Sequence, residues 1–237
     1  RNGCLFLCLI NCIKNFVTTI MKASIKIPTH LSEITLEQYQ KFLKIEVETK
    51  DEYFLQCKMI EIFCNVDYKD VLKIKLSDAN NISEILSDMF LQKPDLVNFF
   101  KMNGINYGFH PNLEELTLGE YIDLDTYIGK WDNMSLAMNV LYRPVSQRSA
   151  NKYLIEDYNP LNKDSMSQMP LDAVISSIFF LFHLGNDLLQ HVTNPYLEDQ
   201  QNNQHQQHRD SPKNGDGMAQ SLASLKEILQ SSKISLN

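Results

Sequence analysis

Large apolar side chains alternate with smaller or polar ones on both sides of Asn103-Gly104, and this pattern is the clearest structural signal in the chain. Asn-Gly between two such runs is typical of a two-residue β-hairpin turn, because both residues tolerate a positive φ. A two-residue loop places Met102 opposite Ile105 and sorts most large apolar groups to one face. That face carries Phe100, Met102, Ile105, Tyr107 and Phe109, and the mostly polar second face carries Phe99, Lys101, Asn106 and Gly108. An isolated hairpin is marginally stable, so the apolar face must pack on another element, for which the helix that follows is the nearest candidate.

Three segments begin with the spacing of a capping box, in which a Thr and a Glu or Gln three residues later bond each other's backbone N–H. The box at 35–38 predicts a helix to about residue 45. The box at 49–52 predicts a helix through Cys64, and the box at 117–120 predicts a short helix containing Tyr121, Ile122 and Leu124.

Weaker patterns supply the remaining elements of the domain. They predict an edge strand at 23–27, a helical turn leading into a strand within 68–76, helices at 82–92 and 135–142, and a strand at 153–158. Together the patterns predict a mostly helical α+β fold, with helices packed around a small β-hairpin in a globular domain at 21–198.

A long apolar run follows Pro170, which suits the first position of a helix. Between residues 171 and 184 the only charged residue is Asp172. This run is short for the roughly 20 residues that span a bilayer. We therefore expect a helix of the domain core rather than a membrane span, with Ile178, Phe179 and Phe182 buried.

The composition changes after Pro195. Residues 199–217 contain no large apolar side chain, so burial cannot offset the entropy of ordering, and we predict a disordered linker there. Residues 218–237 predict a short amphipathic helix, either a detached piece of structure or a partner-binding helix. Its candidate partner-binding side chains, which form one apolar stripe, are Leu222, Leu225, Ile228 and Leu229.

The first twenty residues differ from the rest of the chain. They contain three of the five cysteines, namely Cys4, Cys8 and Cys12. We predict that this segment is translated upstream sequence and that Met21 is the native start; the alternative is a signal peptide, although no small-residue cleavage site follows. Cys57 and Cys64 lie in an apolar helical pattern and are predicted to be core thiols, which fits a reducing compartment.

Charge and motifs narrow the range of functions. The formal net charge is −7 and Lys and Arg form no cluster, which argues against nucleic acid as the main partner. The sequence contains no nucleophile-elbow motif, no phosphate-binding loop and no Cys-x-x-Cys pair. It therefore predicts no catalytic, cofactor-binding or metal-binding residue.

A few ionisable residues were weighed as candidates for a site. Glu120, Asp123 and Asp125 form the densest acidic group, but the spacing of an EF-hand is absent. We interpret them as solvated acids favoured by the dipole of a helix N-terminus, with Arg143 paired to Asp123 or Asp125. A histidine in an apolar run, His183, is expected to be a core residue hydrogen-bonded through one nitrogen. The aromatic residues Tyr127, Trp131 and Tyr142 are expected to be apolar anchors.

Four short pieces of the chain resemble proteins encoded among the structural genes of tailed bacteriophages. They are ITLEQY at 34–39, YGF at 107–109, LTLGEYIDLD at 116–125 and MNVLYRP at 138–144. The piece LTLGEYIDL, followed by a short helix ending near YRP, is similar to phage tail assembly chaperones, and the resemblance extends over about residues 22–192. The chain departs from the simplest members of that family in its long apolar helix and its long polar linker.

The resemblance implies a non-enzymatic role, in which the protein keeps the tape-measure protein soluble while tail subunits polymerise around it. It also implies viral tail proteins as partners, a C-terminal extension that contacts them, and a location in the host cytoplasm or in the virion. Two alternatives stay open, a structural component of the virion and an enzyme with an unrecognised site. No cofactor, nucleic acid or membrane is expected to take part.

Overall fold

The fold is described from a computed structural model, which covers the backbone of residues 25–149, 152–162, 166–202 and 215–231; the side chains of residues 189–221 and 231 are not described. Eight α-helices lie in this part of the chain: α1 Leu36–Glu48, α2 Glu52–Phe63, α3 Tyr68–Val71, α4 Leu76–Phe90, α5 Leu118–Tyr127, α6 Met134–Leu141, α7 Leu171–Asn202 and α8 Gly215–Ser231. Four strands form an antiparallel sheet in the order β1 Phe99–Met102, β2 Ile105–Phe109, β3 Tyr142–Ser149 and β4 Lys152–Ile155. The predicted mostly helical α+β fold is confirmed.

The β1–β2 hairpin has the predicted turn and register. Asn103 and Gly104 have φ values of 51° and 83°, which are the positive values that a type I′ turn requires. Met102 pairs with Ile105 and Phe100 pairs with Tyr107. The Asn-Gly signal therefore fixed both the position of the turn and the face to which each side chain points.

The apolar face of the hairpin packs on aromatic side chains from β3 and α7. The ring of Phe109 lies 5.2 Å from that of Tyr142 and 5.6 Å from that of Phe180, measured between centroids. Phe100 also contacts Tyr142, at 5.3 Å. The helix after Thr117 was expected to cover this face, but these ring contacts come from β3 and α7. Ile105, at the tip of the face, is 47% exposed.

The second face of the hairpin is covered at its Phe99 and Gly108 end, whereas its polar residues Lys101 and Asn106 are exposed, as expected of a mostly polar face. The ring of Tyr153 in β4 lies 4.6 Å from that of Phe99, and the guanidinium of Arg148 lies 4.5 Å above Phe99. Gly108 makes this packing possible, because a Cβ at that position would lie 2.9 Å from Cε2 of Tyr153. The β3–β4 pair therefore packs across the hairpin at Gly108, the glycine of its second strand.

The first half of α7 forms the centre of the core. Ile178 is fully buried and Phe179 is 9% exposed, as predicted, whereas Phe182 is only half-buried and that part of the prediction is wrong. Leu171–Leu188 is the one described helical stretch that is long and apolar enough to cross a membrane by length and composition. The backbone N–H of Leu171 bonds the carbonyl of Ile34 at 2.9 Å, which fixes the start of α7 against the start of α1.

The capping predictions at Thr35 and Thr117 are confirmed, since both boxes form in full. The predicted cap at Thr49 is wrong. Asp51 caps α2 instead, and its carboxylate accepts from the N–H groups of Tyr53 and Phe54 at 3.1 Å. Aspartate competes well with threonine as an N-cap, which explains the shift of two residues.

Three other element predictions need correction. The helix predicted at 82–92 begins six residues earlier, at Leu76. The side chain of Lys75, the residue before it, makes no capping hydrogen bond. A helical turn forms within 68–76, at α3, but no strand follows it, because residues 72–75 form a turn and α4 begins at Leu76. Residues 25–27 are not a strand, and residues 23 and 24 lie outside the described part.

The C-terminal prediction is confirmed for the helix, which is α8. Both ends of the segment predicted as a linker, 199–217, belong to helices, because α7 continues to Asn202 and α8 begins at Gly215. Residues 203–214 and 1–24 lie outside the described residues, and with them Cys4, Cys8, Cys12 and the proposed start at Met21.

The positive φ at Gly104 gives the first testable prediction. A Cβ at Gly104 meets no heavy atom within 4 Å, so any cost of a side chain there is conformational rather than steric crowding. Gly104→Val should lower the free energy of unfolding by at least ~1 kcal/mol, because β-branched residues resist positive φ. Gly104→Asn is the matched control and should lose less, since Asn tolerates this region. Equal urea midpoints for both variants and the native chain would contradict the assignment.

Candidate functional site

The residues predicted to bind a partner lie on one face of α8, and in this structure that face is buried. Leu222, Leu225, Ile228 and Leu229 are 7%, 5%, 3% and 0% exposed, respectively. The helix packs against α7. The predicted apolar stripe is therefore present, but the chain's own core covers it, so a partner would have to compete with α7 for it.

Two glycines allow α8 to approach closely, and we call Gly129 and Gly185 the glycine seat. A Cβ on Gly185, in α7, would lie 2.5 Å from Cδ2 and 3.0 Å from Cγ of Leu222. A Cβ on Gly129, just after α5, would lie 3.3 Å from Cβ of Ser224. A Cβ at Gly185 would force the side chain of Leu222 to shift, and a Cβ at Gly129 would require Ser224 to move by a few tenths of an ångström.

A second feature is a buried group of ionisable residues, the ion-pair cluster of His110, Glu120 and Arg143. Glu120 Oε1 lies 2.7 Å from Arg143 Nη1, and the two side chains are 4% and 8% exposed. The second carboxylate oxygen of Glu120 accepts from the backbone N–H and the hydroxyl of Thr117, at 2.7 and 2.8 Å. The capping box thus places a carboxylate where Arg143 of β3 can reach it.

This pairing corrects the expectations for the acidic group on α5. Arg143 pairs with Glu120 and not with Asp123 or Asp125, and Glu120 is not solvated. Asp123 instead accepts a hydrogen bond from the Tyr158 hydroxyl at 2.7 Å. Although burial opposes ionisation, the Thr117 hydrogen bonds, Arg143 and His110 together hold the pKa of Glu120 below its usual value.

His110 was not singled out from the sequence, yet it is 9% exposed beside the ion pair. Its Nδ1 accepts from the backbone N–H of Asn112 at 3.3 Å, so in the neutral ring the proton resides on Nε2. Burial and the charge of Arg143 lower its pKa, against the opposing effect of Glu120. The one sequence signal for the burial of His110 was its position directly after Phe109, the last residue of β2, since Tyr107 and Phe109 are both buried.

The ion-pair cluster has the character of a structural support. Its charges neutralise each other in a site almost without solvent, and it connects α5 to the sheet. Within the described part of the chain, Arg143 Nε is buried without a hydrogen-bond partner, while its Nη1 is paired with the Glu120 carboxylate. Among the described side chains, no group of three or more His, Cys, Asp or Glu could hold a metal ion.

The remaining candidates have different environments. His183 is exposed and lies beside the rings of Phe179 and Phe182, so the expectation of a core histidine is wrong. Trp131 packs edge-on against Tyr39 with 4.9 Å between ring centroids, as expected of an anchor. Cys57 and Cys64 are free thiols, and burial raises the pKa of Cys64 to about 11.

The ion pair gives the second prediction. Arg143→Met leaves the Glu120 carboxylate buried without its partner, which should destabilise the protein by about 3–5 kcal/mol. Adding Glu120→Gln to that variant should recover part of the loss, because the buried charge is then removed. Lys44→Met, which breaks the exposed pair with Asp132, is the control and should change stability little. Chemical denaturation measures all three, and a double variant no more stable than Arg143→Met would contradict the buried pairing.

His110 gives the third prediction, a dependence of stability on pH. Its folded pKa lies below the usual 6.5, so the unfolded chain binds the proton more readily. The contribution of His110 is therefore fully present above about pH 6.5 and is lost as the pH falls through the folded pKa. His110→Gln should lose less stability than the native chain between pH 7.5 and 5.5, as measured by urea midpoints. His183→Gln, at an exposed position, should follow the native curve, and identical curves for all three proteins would refute the assignment.

Comparison with known proteins identifies no relative of this chain. Neither a family model, nor a curated protein, nor a solved structure gives a significant match to this chain.

Proposed function

We propose that the chain is a non-enzymatic phage assembly protein of the tail-chaperone kind, which binds other viral proteins when α8 leaves its place on α7. The observation that carries the proposal is the apolar stripe of α8, whose four large aliphatic side chains are buried on the glycine seat and its surroundings. The chain joins this helix to α7 only through the polar residues 203–214.

The stripe is suited to reversible binding. A helix of 17 residues is marginal in water on its own, so α8 depends on a surface that covers its apolar side. Its release exposes that stripe and the surface beneath it together, and either can then take a protein partner. Binding by such a segment loses affinity to the ordering of the helix, which keeps the complex reversible. A chaperone that must let go as a tail grows needs that property.

The four pieces that carry the phage resemblance also support the proposal, because three of them meet in one part of the fold. β2 contains YGF and pairs with β3 at YRP, where Gly108 faces Arg143 and Tyr107 faces Pro144. The same Arg143 forms the ion pair with Glu120 of LTLGEYIDLD. Three of the four resembling pieces are thus a connected structural unit.

A reversible lock on α8 tests this function, and it forms the fourth prediction. Leu222 Cγ lies 3.0 Å from where a Cβ of residue 185 would be, so the chain carrying Gly185→Cys and Leu222→Cys should form a disulfide that holds α8 in place. Expressed with an affinity tag in phage-infected cells, the oxidised chain should retain at least tenfold less viral tail protein than the reduced chain. Leu222→Cys alone, which keeps Gly185, is the control, and it should bind equally in both conditions.

Two results decide the proposal. Undiminished recovery of tail proteins by the oxidised, locked chain would show that α8 is not the binding element. Mass spectrometry of purified particles separates the chaperone from a structural component, since a chaperone should be absent and a structural component should be present in stoichiometric amounts.

A further inference from the structure

His110 lies where the sheet meets the loop that leads to α5, which spans residues 111–117. The backbone N–H of His110 donates to the carbonyl of Leu141, the last residue of α6, at 2.7 Å. The preceding carbonyl, that of Phe109, accepts from the Tyr153 hydroxyl at 2.6 Å. These two bonds fix the backbone at this position, and His110 itself is 9% exposed.

The loop is organised by Asn112, and a hydrogen bond to the ring of His110 attaches it to the sheet. The side-chain oxygen of Asn112 accepts from the N–H of Glu114, and its side-chain nitrogen donates to a carboxylate oxygen of Glu115, both at 3.1 Å. These bonds lie within the loop and support its 3₁₀-helical turn at Leu113–Glu115. The bond from the Asn112 backbone N–H to His110 Nδ1 is different, because it joins that turn to the end of β2.

Protonation of His110 removes this bond. Nδ1 of a neutral ring can accept, whereas both ring nitrogens of a protonated histidine carry hydrogen and can only donate. Nδ1 and the backbone nitrogen of Asn112 lie 3.3 Å apart, so two N–H groups would then point at each other. A backbone N–H that is kept from water without an acceptor is costly. Movement of the loop removes that cost, because it brings the N–H of Asn112 into water.

Charged groups from three elements act on the ring, namely Arg143 of β3, Glu120 of α5 and Glu115 of the loop. A protonated ring adds a second positive charge beside Arg143, in surroundings where water screens little. The single carboxylate of Glu120 does not neutralise two cations, and its oxygens are already bound to Arg143 and Thr117. Glu115 belongs to the loop, so its charge moves with the loop. The closed arrangement therefore favours a neutral ring.

The other elements at this position contribute no charge. α6 contains no ionisable side chain, and α7 meets β2 here through the ring of Phe180, which packs on Phe109. β4 meets it through the Tyr153 hydroxyl, which is neutral because burial raises its pKa. Burial and the charge of Arg143 lower the pKa of His110 below the usual 6.5, against the effect of the two carboxylates. The neutral ring therefore predominates at pH 7.

We propose that His110 is a pH-sensitive switch for residues 111–117 and the first turn of α5. In its neutral form the ring holds this segment against the sheet through Asn112. When His110 is protonated, the segment separates from the sheet while the core around α7 stays folded. The switch rests on the contacts of His110 and is independent of the phage role proposed above.

The segment that the switch controls carries an exposed apolar surface. Leu118, Tyr121 and Ile122 share one face of α5, at positions i, i+3 and i+4, and are 75%, 54% and 52% exposed. In the closed arrangement this face has a fixed orientation relative to the sheet. Separation of the first turn of α5 removes that constraint, so the switch makes the placement of this apolar surface depend on pH.

The expected size of the effect follows from proton linkage. In the open form the ring is in water and has an ordinary pKa of about 6.5, whereas in the closed form its pKa is lower. The open population therefore grows as the pH falls below about 6.5, by up to about tenfold for each pH unit, until the folded pKa is reached.

Native-state hydrogen exchange at several low urea concentrations, followed by NMR, measures this opening residue by residue. After correction for intrinsic exchange rates, the protection of the Tyr121 and Ile122 amides should fall at least about threefold between pH 7.0 and 5.0. Their exchange should be faster than that of the Ile178 amide in α7 and nearly independent of urea, because a local opening exposes little surface. Exchange of all three amides with one free energy and one urea slope would show that only global unfolding occurs, and would overturn the proposal.

Two variants assign the effect to His110. In His110→Gln the amide oxygen can still accept from Asn112, but the side chain takes up no proton, so the protection of the Tyr121 amide should lose its pH dependence. His183→Gln, which removes an exposed histidine, is the matched control and should keep the full dependence. An equal fall in protection for His110→Gln and the native chain would contradict the role of the ring.

The native chain supplies a measurement that requires no variant to fold. In a ¹⁵N NMR titration, the ring nitrogens of His110 should change from the neutral form to the doubly protonated form with a midpoint below pH 6.5. The backbone amide signal of Asn112 should shift with the same midpoint, because the bond between them breaks in that step. A midpoint at or above 6.5, or an Asn112 signal that does not follow the ring, would overturn the switch.

Discussion

The hydroxyl of Tyr142 connects three parts of the core, namely β3, the extended segment at Val97 and helix α7. The rest of the fold depends on that connection. It lies 2.8 Å from the carbonyl of Val97 and 3.2 Å from that of Ala173. The N–H of Val97 in turn donates to Ser176 Oγ at 3.1 Å. Both backbone groups of Val97 are therefore satisfied by side chains, which is required where an extended segment passes against a buried helix. Tyr142 is also the residue at which α6 ends and β3 begins.

A second constraint acts on the residue that follows Tyr142 at the junction of α6 and β3. Arg143 follows Tyr142, and because neighbouring residues of a strand point to opposite faces, its side chain leaves the core side and meets Glu120 of α5. Tyr142 and Arg143 thus connect β3 to two helices. The phenol of Tyr142 contacts α7 on one face, and the guanidinium of Arg143 forms an ion pair with α5 on the other. A buried ion pair adds little net stability compared with apolar packing, but breaking it is costly. It serves to specify which helix lies against that face of the sheet.

The sequence was most informative where the structural cause is local. The Asn103-Gly104 turn and the caps at Thr35 and Thr117 depend on residues within three positions of each other, and all three formed as predicted. The start of α4 at Leu76 was missed because no side chain caps it. Where two capping residues stood close together, at Thr49 and Asp51, spacing alone could not rank them.

The candidate site was harder to predict, because its properties come from contacts between distant parts of the chain. In the sequence, Glu120 cannot be distinguished from a solvated acid in a first helical turn. Its pairing depends on β3, which places Arg143 beside it. His110 is buried by the same elements, and nothing beside it in sequence reveals them. The stripe of α8 was visible from its spacing, but the surface beneath it was not, because Gly129 and Gly185 have no side chains to form a pattern.

Gly185 lowers the helix stability of α7, but it allows another helix to pack closely against it. Glycine in a helix interior lowers helix stability by roughly 1 kcal/mol relative to alanine, so Gly185 weakens α7 locally at the point where Leu222 lies against it. A side chain at position 185 would raise the helix propensity of α7, but it would force the side chain of Leu222 to shift. Such a variant would have a more stable α7 and would have lost one of the two close approaches that hold the C-terminal helix against the rest of the fold.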